Sequence, residues 1–210
     1  MKLKFSLILL LVTLLLSCEK YGYFAVGLGG SQSPIGEVGT EFSFSNPYGV
    51  SDPTATVTDL EGGVSAIDYS VRITDSKLLT LASYITVANL SGNTLSGQVK
   101  AKFTSEGIET QHKSGKFTLV KYNAKVGDKY TLKTDDSTIT REVVSVSNDD
   151  DYYWGGMLIK TIQVEETGHS TPGVTKIKYV LNHKFGLVSA YIYLVDGSYR
   201  AIDVYCSKTN

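Results

Sequence analysis

Apolar residues recur at every second position through much of this chain, the spacing of a half-buried β-strand. In "EFSFS", Phe42 and Phe44 alternate with Ser43 and Ser45. "ATVT" is a short strand and "EGG" a turn. "AIDYSVRIT" sets Ile67, Tyr69, Val71 and Ile73 on one face, against Asp68, Ser70, Arg72 and Thr74 on the other. "TLSGQVKAKF" turns Leu95, Val99, Ala101 and Phe103 inward; Gly107 and Gly115 bound another short strand, and "KFTLVKY" follows. One segment changes period. "DSKLLTLASYI" places Leu78, Leu79, Ala82 and Ile85 at helical spacing, with Asp75 or Ser76 as N-cap. The overlapping "YITV" fits a strand as well.

From Tyr122 the alternation is more regular. "KVGDKYTLKTDDSTITREVVSV" reads as strand, turn, strand. An acidic loop, "NDDD", leads into "YYWGG", and "MLIKTIQVEE" is a strand. "TKIKYVLN" aligns Ile177, Tyr179 and Leu181. Asp196-Gly197 predicts a two-residue type I′ hairpin turn near the end. Six strands at short spacing describe an antiparallel meander. The fold class expected is therefore all-β for the most part, an antiparallel sandwich or meander with one short helix. A boundary near residue 120 divides a sandwich-like segment, 37–120, from the meander, 121–210. No linker marks it, so two β subdomains and one continuous sandwich both fit.

The N-terminus follows another rule. Lys2 and Lys4 precede an apolar run from Phe5 to Leu16 that is broken only by Ser6 and Thr13. A positive start and a short apolar run form a secretory signal, and the run is too short to span a bilayer, which takes roughly 20 residues. It ends Leu15-Leu16-Ser17-Cys18, which resembles the lipobox of bacterial lipoproteins. Residues 1–17 are thus expected to be a lipoprotein signal peptide, cleaved before Cys18. The Cys18 thiolate is nucleophilic enough to take a diacylglycerol, and several acyl chains anchor a domain stably. Residues 18–36, rich in Gly, Ser and Gln, then read as a flexible tether, with pairing of part of it as an edge strand as the alternative. A lipidated Cys18 leaves Cys206 unpaired, and its place beside Ile202 and Val204 on one strand face makes it a small buried hydrophobe.

Composition narrows the partners. Loss of Lys2 and Lys4 with the leader takes the net charge of the chain from −1 to −3, which gives no footprint for nucleic acid. The 14 tyrosines favour strands. "VGDKYTL" and "NHKFGLVSAYIYLVDG" are similar to phrases in envelope lipoproteins of Bacteroidetes-type bacteria. That resemblance spans about residues 122–206 and implies a location in the cell envelope, anchored in the outer membrane, and no activity. In that group acidic residues after the lipidated cysteine mark surface export; here Glu19 fits and Lys20 does not, so the periplasmic and surface faces both stay open.

No catalytic motif stands out. There is no G-x-S-x-G elbow, and His112, His169 and His183 form no metal-binding pair. Glu165 and Glu166, adjacent in a strand, face opposite ways and cannot act as a glycosidase pair. The densest oxygen-donor cluster is Asn148 to Asp151, where Asp149 and Asp151 are candidate calcium ligands, but EF-hand spacing is absent and a solvated loop explains the same residues. No cofactor is implied. Tyr152, Tyr153 and Trp154 are consecutive, and alternation forces at least one ring off any single core face. They are the candidate ligand-binding residues, as a platform for a glycan; the alternative places Tyr153 in the core with its neighbours on the other face. The function expected is a non-enzymatic binding or structural role in the envelope, with a glycan or an envelope protein as partner. Two alternatives remain: a carrier that holds an apolar, lipid-like ligand within a curved sheet, and an envelope hydrolase whose site is assembled from scattered residues. Metabolic labelling with a clickable fatty acid is expected to tag the wild type and not Cys18→Ser; a mutant that keeps its label and stays in membranes would contradict the lipobox reading.

Overall fold

The computed structural model describes residues 27–45, 49–76, 79, 82, 88–135, 137–169 and 173–210. The signal peptide, Cys18, the first part of the tether and much of the expected helix lie outside the described residues. Ser76, Leu79 and Ala82 do lie in helical backbone, and the Leu79 N–H donates to the Asp75 carbonyl at 3.1 Å.

The first half supplies β1 (Glu41–Ser45), β2 (Val50–Glu61), β3 (Val64–Ile73), β4 (Asn89–Ser91), β5 (Thr94–Thr104), β6 (Gly107–His112) and β7 (Gly115–Lys121). The second half supplies β8 (Lys129–Lys133), β9 (Thr138–Val146), β10 (Tyr152–Trp154), β11 (Met157–Ile159), β12 (Ile162–Thr167), β13 (Val174–Asn182), β14 (Gly186–Leu194) and β15 (Tyr199–Cys206). Thirteen of these form one sheet, ordered β7-β6-β5-β3-β2-β1-β15-β14-β13-β12-β9-β8, with β4 paired to β5. Every pairing in it is antiparallel. The two halves are each contiguous and meet where β1 pairs with β15, with Phe42 opposite Cys206 and Phe44 opposite Val204. The expected six-strand meander is β8-β9-β12-β13-β14-β15, and β10-β11 is a separate hairpin inserted between β9 and β12.

Alternation predicts the inner face well. Ile67, Tyr69, Val71 and Ile73 are all buried, as are Leu95, Val99, Ala101 and Phe103, and Ile177, Tyr179 and Leu181. These residues from both halves belong to one core. The sheet curls until β7 and β8 lie side by side, and side chains rather than a backbone ladder join these two edges. Phe117, Leu132 and Ile139 pack together with Tyr130 against them, and the Lys121 N–H donates to the Tyr130 hydroxyl at 3.2 Å.

Arg141 crosses the same seam. Its Nε donates to Glu166 Oε2 at 2.7 Å, while Nη1 donates to the Thr110 hydroxyl and to the carbonyls of Phe117 and Thr118 at 3.1–3.2 Å. The guanidinium carbon sits 3.8 Å from the Phe117 ring centroid, and the Tyr179 hydroxyl completes the Glu166 shell at 3.3 Å. Both ions are buried, so each depends on the other to offset its desolvation. The planar fork of arginine is what allows one side chain on β9 to reach Glu166 on β12 as well as partners on β6 and β7.

Two expectations need correction. Residues 28–36 are not tether. The Ser33 hydroxyl caps a 3₁₀ turn, Pro34–Gly36, the Ser33 N–H donates to the Phe103 carbonyl, and Leu28 and Ile35 are buried. Ile35 has the apolar reach to join the core, so it packs there rather than staying in solvent. The last hairpin is also not a two-residue type I′ turn. Gly197 has φ +79 but Asp196 does not enter the left-handed region, and the Asp196 carboxylate instead accepts from the Ser198 N–H at 2.9 Å. Its side chain favours this local bond over the positive φ that type I′ requires at both positions.

Arg141→Ala is expected to destabilise the fold by about 3–5 kcal/mol, because Glu166 is left buried and uncompensated. Combining Arg141→Met with Glu166→Leu should recover most of that loss. Urea unfolding of the three proteins checks both.

Candidate functional site

The inner wall of the curled sheet does not fill its own interior. Phe42 and Phe44 from β1, Ile67 and Tyr69 from β3, Val99 and Phe103 from β5 surround a cavity of about 100 Å³, with Ala55, Ala101, Leu187 and Val204 among the other wall residues. Almost all of its exposed wall is carbon. The small side chains of Ala55 and Ala101 stand among large ones, and this mismatch leaves the void. It is partly open to the outside. Pro53 and Thr54 stand on its wall where the β2–β3 register shifts between Ser51 and Thr54. Asp52, just before them, has φ +52, which is costly for a non-glycine residue.

Tyr69 carries a polar atom that is unexplained among the described residues. It is 6% exposed, and its hydroxyl has no hydrogen-bond partner among the described residues. Burial pushes the phenol well above its ordinary pKa, so it stays neutral. Gly97 lies directly opposite on β5, and a Cβ there would run into the Tyr69 hydroxyl. Glycine at 97 is therefore the residue that lets Tyr69 lie down inside. A void of this size costs about 2 kcal/mol when empty, at roughly 24 cal/mol per Å³, and a buried unpaired hydroxyl adds to that. Sequence pattern placed Tyr69 in the core but gave no sign of a cavity, since the walls come from strands far apart in the chain.

The expected aromatic platform is placed differently. Gly155 and Gly156, with φ +58 and +87, close the β10–β11 hairpin in a two-residue turn. The hairpin lies against the outer face of β13, β14 and β15. Trp154, 7% exposed, packs on Val180 and Val188, stacks with Tyr205 at 5.1 Å between centroids and meets the tilted Phe185 ring at 4.9 Å. The Tyr152 hydroxyl lies 2.9 Å from that of Tyr191. Tyr153 is 72% exposed and pairs with Leu158 across the hairpin, which is also exposed. Tyr153 therefore points outward, Trp154 holds the hairpin down, and the alternative with Tyr153 in the core does not hold. Asp151 accepts from the Ser147 hydroxyl at 2.7 Å, while Asp149 and Asp150 are exposed. Among the described residues no three His, Cys, Asp or Glu side chains converge as a metal site.

No protein-family model matches this chain, and no curated protein matches it. Among solved structures it is similar to a protein of Bacteroides fragilis described as "a putative exported protein with YmcC-like fold", at a TM-score of 0.43 and 10% identity, over 83% of this chain and 96% of that one. No helix among the described residues is long and apolar enough to cross a membrane.

Three other placements bear on the expectations. Cys206 is half-buried, is unpaired among the described residues and packs against the main core; burial raises its thiol pKa. His112 accepts from the Ser114 N–H through Nδ1. Both ring nitrogens of His169 are buried without a partner among the described residues, and burial lowers its pKa.

Trp154→Ala should cost about 3–5 kcal/mol of stability, and Tyr153→Ala no more than about 0.5 kcal/mol. Thermal melts of the two variants separate anchor from exposed ring, and equal losses would contradict the assignment.

Proposed function

We propose that this protein is a lipid-anchored binding protein of the bacterial envelope, without enzymatic activity, that takes an apolar ligand into the interior of its curled sheet. The observation that carries the reading is the cavity itself: about 100 Å³, walled almost entirely by carbon and partly open. Empty apolar cavities of about this size bind small hydrophobic molecules in preference to water. The anchor proposed at Cys18 would hold the domain beside a membrane, where apolar ligands are concentrated. Of the three functions the sequence left open, the apolar carrier is the one that the cavity supports. A glycan platform keeps one supporting observation, the exposed Tyr153 ring.

The test is saturable binding of toluene, a small apolar probe followed by calorimetry, to the purified processed protein. Binding is expected, with displacement by other small hydrocarbons. Ala101→Leu, which fills the cavity from β5, should weaken probe binding at least tenfold without lowering Tm. A wild type without saturable binding, or a filled variant that binds as before, would overturn the proposal.

A further inference from the structure

We infer that the outer wall of β5–β8 docks on the anionic headgroups of the membrane that holds the protein. This is independent of the cavity and rests on the lipid anchor proposed at Cys18. Charge is the first observation. Residues 94–133 carry eight lysines against three carboxylates, a net charge of +5, although the chain without residues 1–17 is at −3. The remainder of that chain is therefore at −8. The fold gathers these lysines on one side, because β5, β6 and β7 are neighbours in the sheet and β8 meets β7 at the seam.

Alternation fixes which way they point. Val99, Ala101 and Phe103 are buried, so Lys100 and Lys102 take the outer face of β5. Phe117 and Leu132 are buried likewise, which sets Lys116 outward on β7 and Lys133 outward on β8. Lys121, Lys125, Lys129 and Lys133 are exposed. The carboxylates of the wall leave an excess of lysine: Glu109 is buried, and Glu142 pairs with Lys129 at 3.1 Å.

The second observation is where the anchored chain joins the fold. Leu28 is buried and is bonded to this same wall. Its N–H donates to Glu109 on β6 at 3.2 Å, and its carbonyl accepts from Lys102 on β5. Gly27 follows Cys18 by nine positions, which is at most about 32 Å of extended chain. The side of the fold that the anchor reaches first is thus the side whose charge complements phosphate-bearing lipids. Basic side chains held beside a bilayer are drawn to its anionic headgroups, whereas the negative remainder of the protein is repelled by them.

The experiment is acetylation of the purified lipidated protein, inserted into preformed vesicles of phosphatidylglycerol or of phosphatidylcholine, with each lysine read by mass spectrometry. On phosphatidylglycerol, Lys100, Lys121, Lys125 and Lys133 are expected to react about fivefold more slowly than on phosphatidylcholine. Lys160, Lys178 and Lys184, on the other half of the sheet, should react alike on both. The protection should disappear in about 1 M salt, where the screening length falls to about 3 Å. Equal rates on the two lipids, or equal slowing of both sets of lysines, would overturn the docking surface and leave the anchor standing. Slowing by soluble heparin but not by phosphatidylglycerol would overturn it in favour of a soluble polyanion. A purified protein whose mass shows no acyl chain would overturn the anchor, and this inference with it.

Discussion

A single antiparallel sheet of this length has two edges, and the architecture depends on how they are brought together. Left open, β7 and β8 would each present unpaired backbone groups to solvent and to other chains. Here they meet without a shared ladder. The guanidinium of Arg141 bridges the gap, bonded to Glu166 on one side and to Thr110 and two β7 carbonyls on the other. A hydrophobic contact at this position would attract without fixing register. An arginine fork does both, because its donors lie in a plane at set angles. Phe117, pressed against the guanidinium face, keeps water from that end of the seam.

Closure has a consequence for the interior. A flat sheet with this alternation would need a second layer to cover its apolar face. A curled one covers itself, and its interior volume is then set by strand number and tilt rather than by side-chain size alone. The inward residues of the first half include Ala55 and Ala101, which are too small to fill the space their strands enclose. In the second half Ile177, Tyr179, Leu181 and Ile192 are wholly buried. The void lies mainly among first-half strands, near the point where β2 breaks register beside Asp52, and Leu187 and Val204 of the second half complete its wall.

The parts that could be read from sequence are those that depend on neighbours in the chain. Strand faces such as Ile67 to Ile73 follow from alternation within a single strand, and the meander follows from short loops. The β1–β15 pairing joins residues more than 150 positions apart, and no local pattern carries it. Arg141 in "TITREVV" shares the inward face of Ile139 and Val143 by alternation, but the pattern shows no partner for a charge there, because Glu166 and the β6 and β7 acceptors come from elsewhere in the chain. The packing of Ile35 was hidden by its Gly- and Ser-rich surroundings. Three successive aromatics fixed that one of Tyr152, Tyr153 and Trp154 would leave the core face, but not which. The Gly155-Gly156 pair was the missed sign of a hairpin, and that hairpin sets Trp154 down and Tyr153 out. The cavity had no local sign at all, because it is a difference between the volume of the barrel and the volume of its side chains.

The central claim is that the void beside Tyr69 is a ligand site. The most direct measurement is a crystal structure of the purified protein soaked with bromobenzene, with the bromine located by anomalous diffraction. The account predicts a peak inside the wall formed by Phe42, Phe103 and Val204. An interior closed by collapsed side chains, or bromine found only on the outer surface, would contradict it.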